Sequence, residues 1–254
     1  MSKYGFDQFY TKKNVVIKCL NTLKIDEFDI VIEPSAGDGA FLHEIKHNNK
    51  IGYDIEPKSN RIIKQDYLEL NTEIFQNKKV LVIGNPPFGQ NSNMALAFIK
   101  KSVFADTIAF ILPKGFKKRS MIDKIPLNYE ITIIEDLDDN NFIYNGMDYT
   151  VPCVWVVMNK SNTLRKKEKK LKPQKFRFVN KLNANLAIRR VGVNAGKPFL
   201  DVNVSEQSHY FLHVENPNDL ITKINKNLFS DNDTTGPRSI SKNELISIIE
   251  KHLE

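Results

Sequence analysis

Asn85-Pro86-Pro87-Phe88 follows directly on the apolar run Val80-Leu81-Val82-Ile83-Gly84, so a side-chain amide is delivered at the carboxyl end of a buried strand. Open α/β sheets bind their ligands at that edge. Each proline fixes φ at about −65° and removes a backbone N–H, leaving a rigid loop whose carbonyls can only accept. A ligand suited to it is a flat ring bearing an exocyclic –NH2. The Asn85 side-chain oxygen and the Pro86 carbonyl each accept one of its hydrogens, and Phe88 stacks on the ring. Asn85, Pro86, Pro87 and Phe88 are therefore the candidate catalytic residues. Upstream, in Glu33-Pro34-Ser35-Ala36-Gly37-Asp38-Gly39-Ala40-Phe41-Leu42, two glycines allow a tight turn and a close approach of backbone to ligand. The helix that follows points its N-terminus at the same place. The turn carries acidic residues in place of the Lys-Ser/Thr of a triphosphate-binding loop.

Taken together, "EPSAGDGAFL" and "NPPF" resemble elements of the S-adenosylmethionine-dependent amino-methyltransferases, most closely the N6-adenine enzymes, over roughly residues 8–158. Tetrapeptides similar to "NPPF" also occur in enzymes that methylate guanine amino groups of ribosomal RNA or glutamine in release factors. The resemblance implies S-adenosyl-L-methionine as cofactor, S-adenosyl-L-homocysteine as product, and no metal. It assigns cofactor contacts to Glu33, Pro34, Ser35, Ala36 and Gly37 in the glycine turn, and to Asn85. It makes Asp54, at the end of the second strand, the ligand of the ribose hydroxyls, and sets Ile55 against the cofactor's adenine. Asp66 would accept from the adenine amino group, with Tyr67 flanking the ring. Asp66 also suits a helix N-cap. Tyr10 and Thr11, in Gln8-Phe9-Tyr10-Thr11, match an element that closes over the methionine end, and Thr11 is a second good N-cap.

The order "QFYT", glycine turn, "NPPF" and then a basic C-terminal module resembles the gamma arrangement of DNA adenine methyltransferases, including those of restriction-modification systems. DNA is therefore favoured over RNA as the partner. Adenine methylation in RNA, cap-adjacent adenosine included, is the alternative; a glutamine methyltransferase or an inert nucleic-acid-binding module stands behind it. A stacked adenine has to flip out of a duplex to reach such a pocket, which calls for a second aromatic on its other face. Phe142, Tyr144 and Tyr149 are candidates in a stretch that reads as a loop.

Composition agrees with an acidic partner. The 254 residues carry a formal net charge of +7, which favours phosphates through counterion release, although lysine and asparagine richness also fits an A/T-biased genome. Cys19 and Cys153 fall in a predicted helix and strand, without the spacing zinc requires. No run reaches the roughly 20 apolar residues of a membrane helix, and residues 1–8 lack a signal-peptide core. These features predict an intracellular protein, cytoplasmic or associated with nucleoid or nucleus.

The elements that must position these groups alternate. Strands are predicted at 29–33, 50–55, 62–64, 80–84, 107–112, 129–135 and 151–158, with helices at 14–23, 40–47 and 94–103. This is an α/β pattern: a Rossmann-like, seven-stranded, mostly parallel sheet with helices on both faces, followed by a small α+β C-terminal domain. The catalytic domain is placed at residues 1–160, a basic linker at 161–174 and a nucleic-acid recognition domain at 175–254. Lys166, Lys167 and Lys169 are candidate phosphate contacts in the linker. Arg189, Arg190 and Lys197 are candidates on a glycine-rich turn. Ser241 followed by Glu244 is a capping-box signature for a last helix.

Overall fold

In a computed structural model of the chain, residues 9–139, 141–144, 146–229 and 238–253 are described. They form two units, Met1–Lys167 and Glu168–Glu254.

The strands of the first unit are β1 (Tyr10–Thr11), β2 (Ile30–Glu33), β3 (Lys50–Asp54), β4 (Ile63–Lys64), β5 (Val80–Gly84), β6 (Thr107–Pro113), β7 (Tyr129–Asp136), β8 (Phe142–Tyr144), β9 (Met147–Tyr149) and β10 (Cys153–Lys160). Its helices are α1 (Lys13–Leu20), α2 (Ala40–Glu44), α3 (Asn93–Lys101) and α4 (Arg119–Ile122). Seven strands make one sheet in the order β4-β3-β2-β5-β6-β10-β7. Strands β4 to β6 pair in parallel, and β10 runs antiparallel between β6 and β7. The seven-stranded, mostly parallel α/β sheet is the one the alternation predicts.

Every residue of β2, β5 and β6 is buried, as expected of strands covered on both faces. Alternate side chains feed two cores. Ile30, Ile32, Val82, Ile108 and Phe110 meet α3 through Ala95, Leu96, Phe98 and Ile99, whereas Val31, Leu81, Ile83, Ala109 and Trp155 meet α1 and α2 through Val16, Cys19 and Phe41. Trp155 stacks on Phe41 at 6.1 Å and donates its indole N–H to Thr22 Oγ1 at 2.9 Å, a core role.

Three local expectations change. Helix α2 stops at Glu44, because Lys50 Nζ donates to the carbonyls of Leu42 (2.8 Å) and Ile45 (2.6 Å) and satisfies the last turn. Thr11 is not the cap of α1: it pairs with Phe142 as part of a strand, and Lys12 occupies the cap position without a side-chain bond. The segment containing Phe142, Tyr144 and Tyr149 is a hairpin, β8–β9, joined to β1 in a three-stranded sheet.

The second unit is a four-stranded antiparallel sheet, order β11-β14-β12-β13, formed by β11 (Phe176–Phe178), β12 (Leu186–Arg189), β13 (Pro198–Phe199) and β14 (His209–Val214). Helices α5 (Pro217–Lys223) and α6 (Lys242–His252) close one core around Leu186, Ile188, Leu212, Leu220 and Leu245. Ser241 and Glu244 form the capping box on α6. The basic stretch 161–174 is held at both ends. The Arg165 guanidinium donates to the carbonyls of Tyr129, Ile122 and Ile125 in the first unit, and in the second unit Gln174 N–H donates to Glu250 at 2.7 Å.

Candidate active site

All the residues singled out as catalytic or cofactor-binding line one cavity of about 990 Å³ at the carboxyl ends of β2, β3 and β5. Ser35 Oγ donates to the Asn85 main-chain carbonyl at 3.1 Å, tying the glycine turn to the NPPF loop. Gly37 adopts φ +52°, and a Cβ there would rest 3.4 Å from the Tyr10 ring, so the turn lies against the β1 tyrosine. The Asp54 carboxylate accepts from Gly37 N–H at 2.7 Å and Glu56 N–H at 2.8 Å. Two backbone donors thus fix its orientation while lone pairs remain for a ligand. Asp38, Asp54 and Glu56 together make this end of the cavity electronegative, and burial followed by these three carboxylates raises the ionisation of the Tyr10 hydroxyl. A cationic ligand fits here better than a phosphate.

Two members of the set face differently from their expected roles. Glu33 is 2% exposed and accepts from the N–H groups of Phe41 (3.4 Å) and Leu42 (2.8 Å), buttressing the start of α2 beneath the turn. Burial pushes its carboxyl up to about 8. Tyr67 is buried, bonded to Ser102 Oγ at 2.8 Å and stacked on Phe98, so it packs below the cavity more than beside a ring in it. Asp66 accepts from Leu68 N–H at 2.9 Å, which makes it the N-cap of a short 3-10 turn as well as part of the wall.

On the acceptor side, Asn85 Oδ1 is buried and has no hydrogen-bond partner among the described residues. An orphan of this kind is rare and calls for an explanation. Pro86 is buried beside it, and Phe88 packs on the core face shared with α1 and α2. The backbone that follows is left-handed at Gly89 (φ +66°), Asn91 (φ 53°) and Ser92 (φ 61°), a concentration of strain found where a site over-determines its geometry.

Phe9 lines the cavity, although no role follows for it from the sequence. It stacks on Tyr149 (5.2 Å, 20°) and touches Tyr144 and Phe142. Phe142 is fully buried and is excluded as a base clamp; Tyr144 and Tyr149 are packed on Phe9, and neither lines the cavity. The signal that marks this hairpin is Asn145-Gly146 between aromatic residues, the turn dipeptide that joins two strands. Among the described residues no cluster of His, Cys, Asp or Glu could hold a metal ion, and no helix is long and apolar enough to cross a membrane.

In the first unit Lys166 and Lys167 are exposed, as is Lys169 in the second. Arg189 Nε donates to Val191 O (2.9 Å) and Arg190 donates twice to Gln207 O (3.0 and 2.7 Å). Both guanidinium groups hold carbonyls around a turn with glycines at φ +91° and +94°, where strand pairing does not satisfy them. The direct base contacts expected of Arg189 and Arg190 give way to this structural use, whereas Lys197 is exposed over the Phe199 ring at 5.4 Å.

The sheet order, with one antiparallel strand inserted near an otherwise parallel edge, is that of the Rossmann-like methyltransferase fold. No family model matches the chain. A 124-residue stretch is 27% identical to the ribosomal RNA small subunit methyltransferase A of Sulfurihydrogenibium sp. (strain YO3AOP1), covering 42% of this chain and 48% of that protein. The chain thus spans about half the length of this relative. Among solved structures, the 23S rRNA methyltransferase ErmE aligns with a TM-score of 0.49 at 15% identity, over 63% of this chain and 73% of its own. A dimethyladenosine transferase from Plasmodium falciparum aligns with a TM-score of 0.46 at 15% identity, over 61% and 64%. TrmK of M. capricolum, solved with S-adenosyl-homocysteine, gives 0.38 at 11% identity over 61% and 71%.

Proposed function

We propose that the protein transfers a methyl group from S-adenosyl-L-methionine to the N6 amino group of an adenine in nucleic acid, with RNA as the leading substrate. The observation that carries this reading is the buried, unpartnered Oδ1 of Asn85, set at the edge of a cavity whose other end is lined by the Gly37 turn and Asp54. A cavity of about 990 Å³ accommodates a nucleoside cofactor and a base together.

Bound there, the cofactor supplies an activated sulfonium methyl: the new C–N bond forms as the C–S bond breaks, and its electron pair stays on sulfur in the departing S-adenosyl-L-homocysteine. The chain's residues position the partners. Asp54, oriented by two backbone N–H groups, accepts from the ribose hydroxyls, and the acidic turn faces the positive end of the cofactor. Asn85 Oδ1 and the Pro86 carbonyl each accept a hydrogen of the adenine amino group. Its lone pair is otherwise delocalised into the ring; two acceptors draw the nitrogen toward a tetrahedral, in-line geometry. Phe88 stacks on the base. The nitrogen's proton leaves to water after transfer, so no dedicated base is required of the chain.

RNA takes precedence over DNA because the relative matched in sequence is named for ribosomal RNA. The order of motifs along the chain favours DNA as the second reading. Transfer of labelled methyl to RNA, single-stranded DNA and duplex DNA, with Asn85→Ala as the blank, tests both. Labelled N6-methyladenine in RNA is the expected result; label confined to duplex DNA would replace RNA by DNA, and no label in any of the three would defeat the adenine reading.

A further inference from the structure

The hairpin beside the cavity exposes apolar side chains that the fold does not require. Met147, at the start of β9, is 69% exposed, Tyr149 is 45% and Ile143 is 39%. Strands of three residues gain little by showing such groups to water, and exposed apolar surface at the rim of a site marks a contact. The hairpin is held at a fixed offset from the cavity. Its strand β8 pairs with Tyr10 and Thr11, which form part of the cavity wall, and Lys12 Nζ meets Asp148 at 2.6 Å. At the tip, a Cβ built on Gly146 meets nothing within 4 Å, so a bulky partner can approach.

The surface next to the hairpin is cationic. Strand β6 runs parallel to β5 and ends at the same edge as Asn85, delivering Lys114, Lys117, Lys118 and Arg119. Lys114 N–H donates to Pro152 O at 2.9 Å, which brings this turn against the segment that leaves the hairpin. Lys114 and Lys117 share the single carboxylate of Asp136 at 3.3 and 2.9 Å, and Arg119 lies 3.0 Å from Asp123, so the cations of the turn outnumber the carboxylates that meet them. An apolar tip with lysines beside it, next to an acceptor pocket for a base, has the complementarity of a stacked, phosphate-bearing partner.

We propose that the β8–β9 hairpin is a wedge for base-paired nucleic acid: Met147 enters the gap that an adenine leaves in the stack when it turns into the cavity, and the lysines of residues 114–119 hold the neighbouring phosphates. This rests on the adenine reading above and adds that the substrate adenine lies in a paired region. Unstacking a base costs a few kcal/mol, and an inserted apolar side chain offsets part of that cost. A base that is already unpaired leaves no gap to fill.

The test compares methyl transfer to an adenine in the stem of an RNA hairpin with transfer to the same adenine in a single-stranded oligonucleotide. With Met147→Ala, the ratio of the two kcat/KM values, paired over unpaired, is expected to fall about tenfold or more, and Met147→Leu, which keeps the apolar bulk, is expected to restore it. Cofactor affinity and thermal midpoint serve as controls on folding. An equal loss on both substrates, or an unchanged ratio, overturns the wedge while leaving the adenine reading intact. Absence of transfer by the wild type to either RNA overturns both.

Discussion

Asn85 offers a test in which stability and activity move apart. Its Oδ1 is buried with no partner among the described residues, and a buried acceptor left unsatisfied costs about 1–3 kcal/mol. Asn85→Ala removes that cost and forfeits some packing. The free variant is therefore expected to be as stable as the wild type or about 1 kcal/mol more stable, a rise in thermal midpoint of about 2–4 °C. Transfer behaves oppositely: an acceptor that acts on the developing charge of the transition state contributes about 2.7–4 kcal/mol, so kcat falls about 10²- to 10³-fold. Cofactor affinity stays within a few-fold, since the side chain faces the acceptor. Scanning calorimetry, isothermal titration with S-adenosyl-L-methionine and single-turnover transfer read the three quantities. A midpoint lowered by several degrees would show that Asn85 is a structural loop residue, and a large loss of cofactor affinity would refute the separation of the two roles.

Asp54→Ala is expected to reverse that pattern, raising the cofactor dissociation constant first; unchanged affinity in titration would remove Asp54 from the ribose. Glu33 titrates at about 8 in the fold against an ordinary 4.5, so the native state holds a proton that the unfolded chain has released. The stability this confers is fully present below about pH 4.5 and is lost as pH rises through 8. Urea midpoints at pH 5, 6.5 and 8 should accordingly fall more steeply for the wild type than for Glu33→Gln, and parallel slopes would contradict the burial argument. In the second unit, Gly196 sits at φ +94° with its missing Cβ aimed into the buried Phe229 ring. Gly196→Ala is expected to cost about 2–4 kcal/mol from overpacking and a left-handed backbone, measured as loss of protected amides in the second unit by hydrogen exchange; a loss under about 1 kcal/mol would mean that Phe229 moves aside freely.

The large sheet was readable because β2, β5 and β6 are continuous apolar runs separated by helices of clear period, a pattern few other folds produce. The cavity was readable because its loops begin where those runs end. What escaped was short. Strand β1 has two residues and β8 and β9 three each, below the length at which alternation is visible, and their pairing joins positions more than a hundred residues apart. Hence Phe9 and the hairpin went unassigned while the neighbouring Tyr10 and Thr11 were noticed. Arg189 and Arg190 misled for a related reason: two arginines beside glycines read as a phosphate surface, but the turn's unpaired carbonyls consume the guanidinium donors, and that need appears only once the backbone path is known. Glu33 likewise reads as a ligand from its place in the motif, whereas its burial turns it toward α2.

The position of β10 has a consequence for how the chain is made. It is the last strand of the large sheet to leave the ribosome, yet it lies between β6 and β7. The parallel half, β4-β3-β2-β5-β6, bears the glycine turn, Asp54 and the NPPF loop, and it can assemble once residue 113 has emerged. Until residue 160 follows, β6 shows an open edge and β7 has no neighbour. At about 5–20 residues per second that interval lasts about 2–10 s. The nascent protein thus carries a half-built cavity and an exposed β-edge together, a state in which early ligand capture and edge-to-edge aggregation compete.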